Sequence, residues 1–274
     1  MTVNIGYNLT SPAEVETINQ LWSRSLISYT ELMIDNFFGY DRETFNFLQG
    51  PVAFHIMRSR FLEADNAELE YAASEINKFK ETLQPLYVSD HLLRFSHNGF
   101  RLPYLQEINY DYFNQHPEEF YDLASRWIHL VGGPIYFENA ASLDNRGIGQ
   151  IRFLTQTLSL VPGARLLVDL TNIFISVHNT TTKLAQWEPI ISDANIFHIG
   201  SYRMSPIYEN LMIDSHDSSI SCEFKEYLAG IRSLFRRDGE SFVTFERDAN
   251  RDLHSIETDI EWVRDFFEVG SKWI

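Results

Sequence analysis

A single cysteine, Cys222, is present in 274 residues. One thiol cannot close an internal disulfide. It also rules out the clustered thiolates of a zinc ribbon or an iron–sulfur site, and it fits a reducing cytoplasm. Positive charge is scarce as well. Lys and Arg number 22 against 38 Asp and Glu, a net charge of −16. Such a surface repels phosphate backbones and anionic lipid headgroups, so neither nucleic acid nor a membrane surface is an expected partner. No apolar run approaches the ~18 residues of a membrane span. The opening Met1-Thr2-Val3-Asn4-Ile5-Gly6 lacks the basic and apolar stretches of a secretion signal. A glycine-rich phosphate loop is missing too, which counts against nucleotide binding. No linker, repeat or low-complexity stretch divides the chain.

What the chain does have is apolar material, 44% of its residues. Much of it falls in short strand-like runs: Val3 to Tyr7, Tyr29 to Ile34, Val52 to Ile56, Leu86 to Ser89, Ile135 to Phe137, Arg165 to Val168, Ile196 to Ile199 and Phe242 to Phe245. Several are apolar at successive positions, as strands buried on both faces are. Helical patterns lie between them, at Pro12 to Ser23, Asn66 to Leu83, Pro117 to Leu130, Ile148 to Leu160, Cys222 to Phe235 and Ile256 to Val269. Ser11 and Pro12 supply the N-cap and first position of the first helix. Alternating strands and helices imply βαβ units and a parallel sheet. Eight strands in this length predict one α/β domain over residues 1–274, a (β/α)8 TIM barrel. Gly200 to Ile220 is the longest irregular stretch and is expected on the catalytic face.

The ends of these runs share a chemistry. The third ends in His55, the fourth in Ser89-Asp90-His91, the fifth in Glu138, the sixth in Asp169, the seventh in His198 and the eighth in Glu246, while Asp214 and His216 lie in the loop after the seventh. In a parallel barrel all these ends converge on one rim. So many carboxylates and imidazoles in one concavity would repel and be poorly solvated unless cations joined them. His55, His91, Glu138, Asp169, His198, Asp214, His216 and Glu246 make about eight ligands, enough for two or three ions of iron, zinc or manganese. Glu138, in the middle of the set, is the expected bridge. His97, His116, His129 and His254 end no strand and are read as structural or surface residues. His178 is left open as a possible ninth ligand, and Cys222 is read as a helix residue without a chemical role.

The order His, His, Glu, Asp-x-x-Asn, His, Asp-x-His, Glu resembles the metal set of the xylose isomerase-like barrels, endonuclease IV with its three metals among them. Asn172 stands where that nuclease has a histidine, which adds it to the ligand set. The segments Val52 to Met57, Tyr87 to His91, Ile213 to Asp217 and Phe245 to Asp248 are similar to the multinuclear non-haem iron-dependent oxidative enzymes. Within that family they most resemble the methanobactin biosynthesis subgroup, as do Ile5 to Asn8 and Met33 to Phe37.

The resemblance implies a barrel holding two or three irons, mixed ferrous and ferric, with O2 as co-substrate. It also implies a heterodimer with a second, C subunit and a leader-bearing precursor peptide. The implied reaction is a four-electron oxidation of a peptidyl cysteine to an oxazolone with a neighbouring thioamide, in the making of a copper chelator. That chemistry needs a base for the backbone amide, and Asp248, two residues beyond Glu246, is the candidate. An ion pair with Arg247 or Arg251 is the competing reading of Asp248. The competing functions are a metal-dependent sugar isomerase or epimerase, an endonuclease IV-like hydrolase, and a metal-binding partner protein without catalysis.

Overall fold

The computed structural model describes residues 2–62, 65–97, 100–235 and 239–268. Among the described residues twelve strands follow in chain order: β1 (Thr2–Leu9), β2 (Tyr29–Met33), β3 (Val52–Ile56), β4 (Val88–His91), β5 (Leu93–His97), β6 (Phe100–Glu107), β7 (Ile135–Glu138), β8 (Ala164–Asp169), β9 (Ile196–Ile199), β10 (Tyr202–Met204), β11 (Met212–Asp214) and β12 (Glu240–Phe245). Eight of them, β1-β2-β3-β4-β7-β8-β9-β12, close into a parallel barrel with β12 paired back onto β1. These are the eight runs expected from the sequence.

The barrel has two apolar layers because its strands alternate. One set of residues (Ile5, Leu32, Phe54, Val88, Phe137, Val168, Phe197, Val243) packs outward under the helices. The other set (Tyr29, Ala53, Tyr87, Leu167, Ile196, with Tyr136 and Phe242) forms a separate plug inside the barrel. Successive side chains of a strand point to opposite faces, so residues two apart share a face. The plug is tight. A Cβ on Gly6 would lie 2.3 Å from the Tyr29 ring, so β1 needs glycine where that ring crosses it.

The fourth barrel strand begins two residues later than the apolar run suggests and carries His91 itself. Three helices were not expected: Tyr110–Gln115, Leu170–Asn179 and Leu184–Asp193. The second of these is buried at seven successive positions from Leu170 to Ser176, the polar Thr171, Asn172 and Ser176 included. Conversely, Ile148 to Leu160 is not one α-helix but short 3-10, α and π turns in succession. Two antiparallel hairpins, β5–β6 and β10–β11, rise beyond the barrel strands. The second occupies much of the stretch expected to be irregular. Among the described residues no helix is long and apolar enough to cross a membrane.

Candidate metal centre

Parity carries the strands from plug to site. Two residues past Ala53 on the inward face comes His55, past Tyr136 comes Glu138, past Leu167 comes Asp169, past Ile196 comes His198. β4 steps from Tyr87 through Ser89 to His91, and β12 from Phe242 through Thr244 to Glu246. Each inward row therefore changes from apolar to ligand at the same height. Asp90, between Ser89 and His91, faces the other way and accepts a hydrogen bond from the Trp127 indole at 2.8 Å. Burial pushes its carboxyl up to about 7.

Glu138 stands at the centre. Its Oε2 lies 3.5 Å from His55 Nε2 and 3.2 Å from His91 Nε2, while its Oε1 lies 3.3 Å from His198 Nδ1. Glu246 Oε2 is 3.3 Å from the same His198 nitrogen and 3.6 Å from His216 Nε2, which is itself 2.9 Å from Asp214. Two compact groups, His55–His91–Glu138 and Glu138–Asp169–His198–Glu246, each keep their ligand atoms within 4.8 Å and share Glu138. Asp214 and His216 form a third cluster beside Glu246.

The surroundings fix which atom of each ligand faces the centre. Ser89 Oγ donates to the Phe54 carbonyl and therefore accepts from His55 Nδ1, 2.8 Å away. His91 Nδ1 donates to the Ile56 carbonyl at 3.0 Å. Both rings thus turn Nε2 inward. Asp169 caps the helix Leu170–Asn179 by accepting the Asn172 N–H at 2.6 Å through Oδ1, leaving Oδ2 for the cavity. Asn172 Nδ2 donates to the Asn139 carbonyl at 2.9 Å, which turns its Oδ1 inward. His216 has a left-handed backbone, φ +45°, uncommon for a side-chain-bearing residue. Its ring lies where a Cβ on Gly200 would be, 2.2 Å from His216 Cδ2.

Among the described residues, buried Glu138 Oε2, Asp169 Oδ2, Asn172 Oδ1, His198 Nδ1, His216 Nε2 and Glu246 Oε2 all lack a hydrogen-bond partner. Orphaned buried acceptors converging from six elements are what a cation would satisfy. The set is nitrogen and oxygen without sulfur, the set for iron, manganese or zinc. Burial opposes protonation of His198 and His216, but the surrounding carboxylates outweigh it and push both imidazoles well above the usual range, so the cluster draws positive charge. Burial drives the His55 imidazole down to about 3, with His91 adding to it, so the ring is neutral. Burial, then the charges of Glu138, Asp214 and Glu246, push the Asp169 carboxyl well above the usual range. Burial opposes ionisation of Glu138, but His198, His91 and His55 outweigh it and hold that carboxyl low.

Asp248 lies past the end of β12 yet lines the same cavity, of about 690 Å³, together with Leu93, Arg94, Gln106, Leu143, Arg146 and Ile213. Its Oδ1 accepts from Asn8 Nδ2 at 2.8 Å and its Oδ2 is 3.4 Å from His216 Nδ1. The arginines considered as its partners pair elsewhere, Arg247 with Asp259 at 2.8 Å and Arg251 with Glu14 at 3.0 Å. His178 is exposed and donates to the Asn210 carbonyl at 3.0 Å. His116, His129 and His254 are exposed, as is Cys222. The side chain of His97 lies outside the described residues. One buried group at the centre was missed: Glu31, on β2. It stands mid-strand rather than at a strand end, and the signal for it was parity, since Tyr29 of the plug is two residues before it.

Residues 5–267 match the family model described as RiPP precursor modification enzyme MbnB/TglH/ChrH. The chain belongs to this family. Members of the MbnB/TglH/ChrH family are enzymes that modify the precursors of ribosomally made peptides. A xylose isomerase-like TIM barrel protein from Mycobacterium smegmatis, in complex with magnesium, is 12% identical at a TM-score of 0.61, over 97% of each chain. The apo 3-keto-D-glucoside 4-epimerase YcjR from E. coli is 11% identical at a TM-score of 0.56, over 96% of this chain and 99% of that one. At such identities the likeness is one of fold. No protein of curated function matches the chain.

Proposed function

We propose that this family member is an iron- and O2-dependent oxidase of a cytoplasmic precursor peptide. It converts a peptidyl cysteine into an oxazolone with an adjacent thioamide, as in methanobactin biosynthesis. Residues 1–274 act as one barrel domain with the metals at the C-terminal ends of its strands. His55, His91 and Glu138 hold one iron, and Glu138, Asp169, Asn172, His198 and Glu246 a second. Asp214 and His216, beside Glu246, hold a third where three are present. Mixed ferrous and ferric iron supplies thiolate ligation and electron exchange with O2.

The four electrons and four protons leaving the peptide match the reduction of one O2 to two waters. The cavity takes the extended core peptide, and Asp248 accepts the proton of the backbone amide that closes the ring. Its carboxyl suits that role. Burial opposes ionisation, yet the His216 contact and the Asn8 amide outweigh it and keep it anionic. A C subunit completes a heterodimer and helps hold the leader, whose attraction to the acidic surface is long-range.

The observation that carries this reading is the division of one carboxylate, Glu138, between two ligand groups, which is the requirement of a multinuclear centre. The test is reconstitution without oxygen. The chain is loaded with ferrous iron, mixed with the C subunit and a cysteine-containing precursor, and then exposed to O2. Mass spectrometry should show the peptide losing four hydrogens, and its Cys→Ser variant should be unchanged. Turnover with magnesium or zinc in place of iron, or without O2, would overturn the proposal.

A further inference from the structure

Of the four ligand histidines, one is turned around. His55 and His91 have Nδ1 engaged by Ser89 and the Ile56 carbonyl and offer Nε2. His216 likewise directs Nε2 to Asp214 and Glu246. His198 instead directs Nδ1 to Glu138 and Glu246, both at 3.3 Å, while its Nε2 points down the barrel to Glu31 Oε2, 2.8 Å away. Both residues are fully buried. The two atoms are at hydrogen-bond distance without being in line, and neither has another hydrogen-bond partner among the described residues, so each is the other's available partner. Glu31 is itself held. Tyr87 Oη donates to its Oε1 at 2.8 Å, and Tyr87 stands in a buried hydroxyl chain with Tyr29 and Thr244.

We infer that Glu31 is a positioning residue that fixes His198 as the Nε2–H tautomer and so makes Nδ1, not Nε2, its metal-binding atom. The inference rests on the metal centre proposed above. A carboxylate on the far nitrogen of a ligand imidazole orients the ring and raises its basicity. Burying an extra carboxylate beside an anionic cluster is unfavourable unless it does such work.

Glu31, His55 and His198 also form a compact group that could itself take an ion. The distances favour positioning instead. At 2.8 Å, Glu31 Oε2 and His198 Nε2 stand within hydrogen-bond length of each other. A metal there would also compete for His55 Nε2, which faces Glu138.

The test uses the full chain, histidine-labelled with ¹⁵N and loaded with diamagnetic zinc. Long-range ¹H–¹⁵N correlation distinguishes Nδ1 from Nε2 ligation by the coupling pattern of the ring. One histidine should bind through Nδ1 and carry its proton on Nε2, and that pattern should vanish in His198→Asn. Glu31→Gln, whose amide oxygen still accepts a hydrogen bond, should keep the pattern and the metal content. Glu31→Ala should lose the pattern and weaken one ion by ~10–100-fold. Tyr87→Phe should show a smaller shift of the same signal.

Nε2 ligation at every bound histidine would overturn the inference while leaving the metal centre intact. Loss of the same whole ion in both Glu31→Gln and Glu31→Ala would overturn it by making Glu31 a ligand. A chain that takes up no zinc would overturn the metal centre as well.

Discussion

The polar groups inside this barrel differ between an inner and an outer cluster. Glu138, Asp169, His198 and Glu246 are no more than 3% exposed, and each has a neighbouring strand on both sides. Asp214 and Asp248 have side chains 33% and 34% exposed, come from a hairpin and a loop, and are joined through a histidine in a left-handed conformation. The inner cluster is held by strand pairing, so its geometry is set before any ligand binds. The outer cluster is held by side-chain bonds to Asn8 and by the Gly200 cradle, and it faces the cavity. Precision suits metals that must stay, and exposure suits groups that must meet a substrate.

Removing the residue that binds the inner cluster together is the severest way to break this contrast. Glu138→Ala should cost the chain more than one ion, read by elemental analysis, and abolish turnover. An unchanged metal content would end the bridging role. His216→Ala should lose a single ion and leave the inner pair loaded, whereas His55→Ala and His91→Ala should each empty a site the His216 variant keeps. Gly200→Ala should mimic His216→Ala in weaker form, because the added methyl occupies the ring's place.

Asp248→Asn separates chemistry from binding. The amide keeps the shape and cannot take a proton, so metals and peptide should stay bound while the rate falls ~10²-fold or more. Loss of iron would make Asp248 a ligand, and an unchanged rate would remove it from the reaction.

The smallest expected effect is at the cavity's outer wall. Burial raises the Glu107 carboxyl from 4.5 to about 7, opposed by a hydrogen bond from Ser142 and reinforced by Asp144. A carboxyl whose folded value is raised binds its proton more tightly in the native state. The native state is therefore favoured at low pH, and that contribution is lost as pH rises from about 4.5 to about 7. The loss is about 3–4 kcal/mol at ~1.4 kcal/mol per pH unit. Glu107→Gln should flatten this slope in denaturant titrations. A variant with the wild-type slope would assign it to another group.

The strands were legible because a barrel stave buried on both faces must be apolar at successive positions, and Val52 to Ile56 or Ile196 to Ile199 can hardly be read otherwise. The convergence of carboxylates and imidazoles was legible because charge at the end of such a run has no cheap burial. Glu31 escaped because it interrupts its strand rather than ending it, and because its partner His198 comes from the far side of the barrel. The helix Leu170–Asn179 escaped because it is short and follows the strand end Asp169 without a break, with Thr171, Asn172 and Ser176 buried among its apolar residues. The hairpin β10–β11 is short, with Met204, Ile207 and Tyr208 exposed, and shows no alternation from which to infer pairing.

The seam between β1 and β12 also sets a timetable. Asn8 holds the backbone N–H of Arg247 and the carboxylate of Asp248, and it lies 240 residues from the latter. At ~5–20 residues per second, a ribosome needs about 10–50 s to make that stretch. Late in that interval His55, His91, Glu138 and Asp169 are already made while Glu246 and the closing strand are not. Nascent chains thus carry an incomplete set of the converging carboxylates and imidazoles. The proposed centre therefore cannot be complete before the last strand docks.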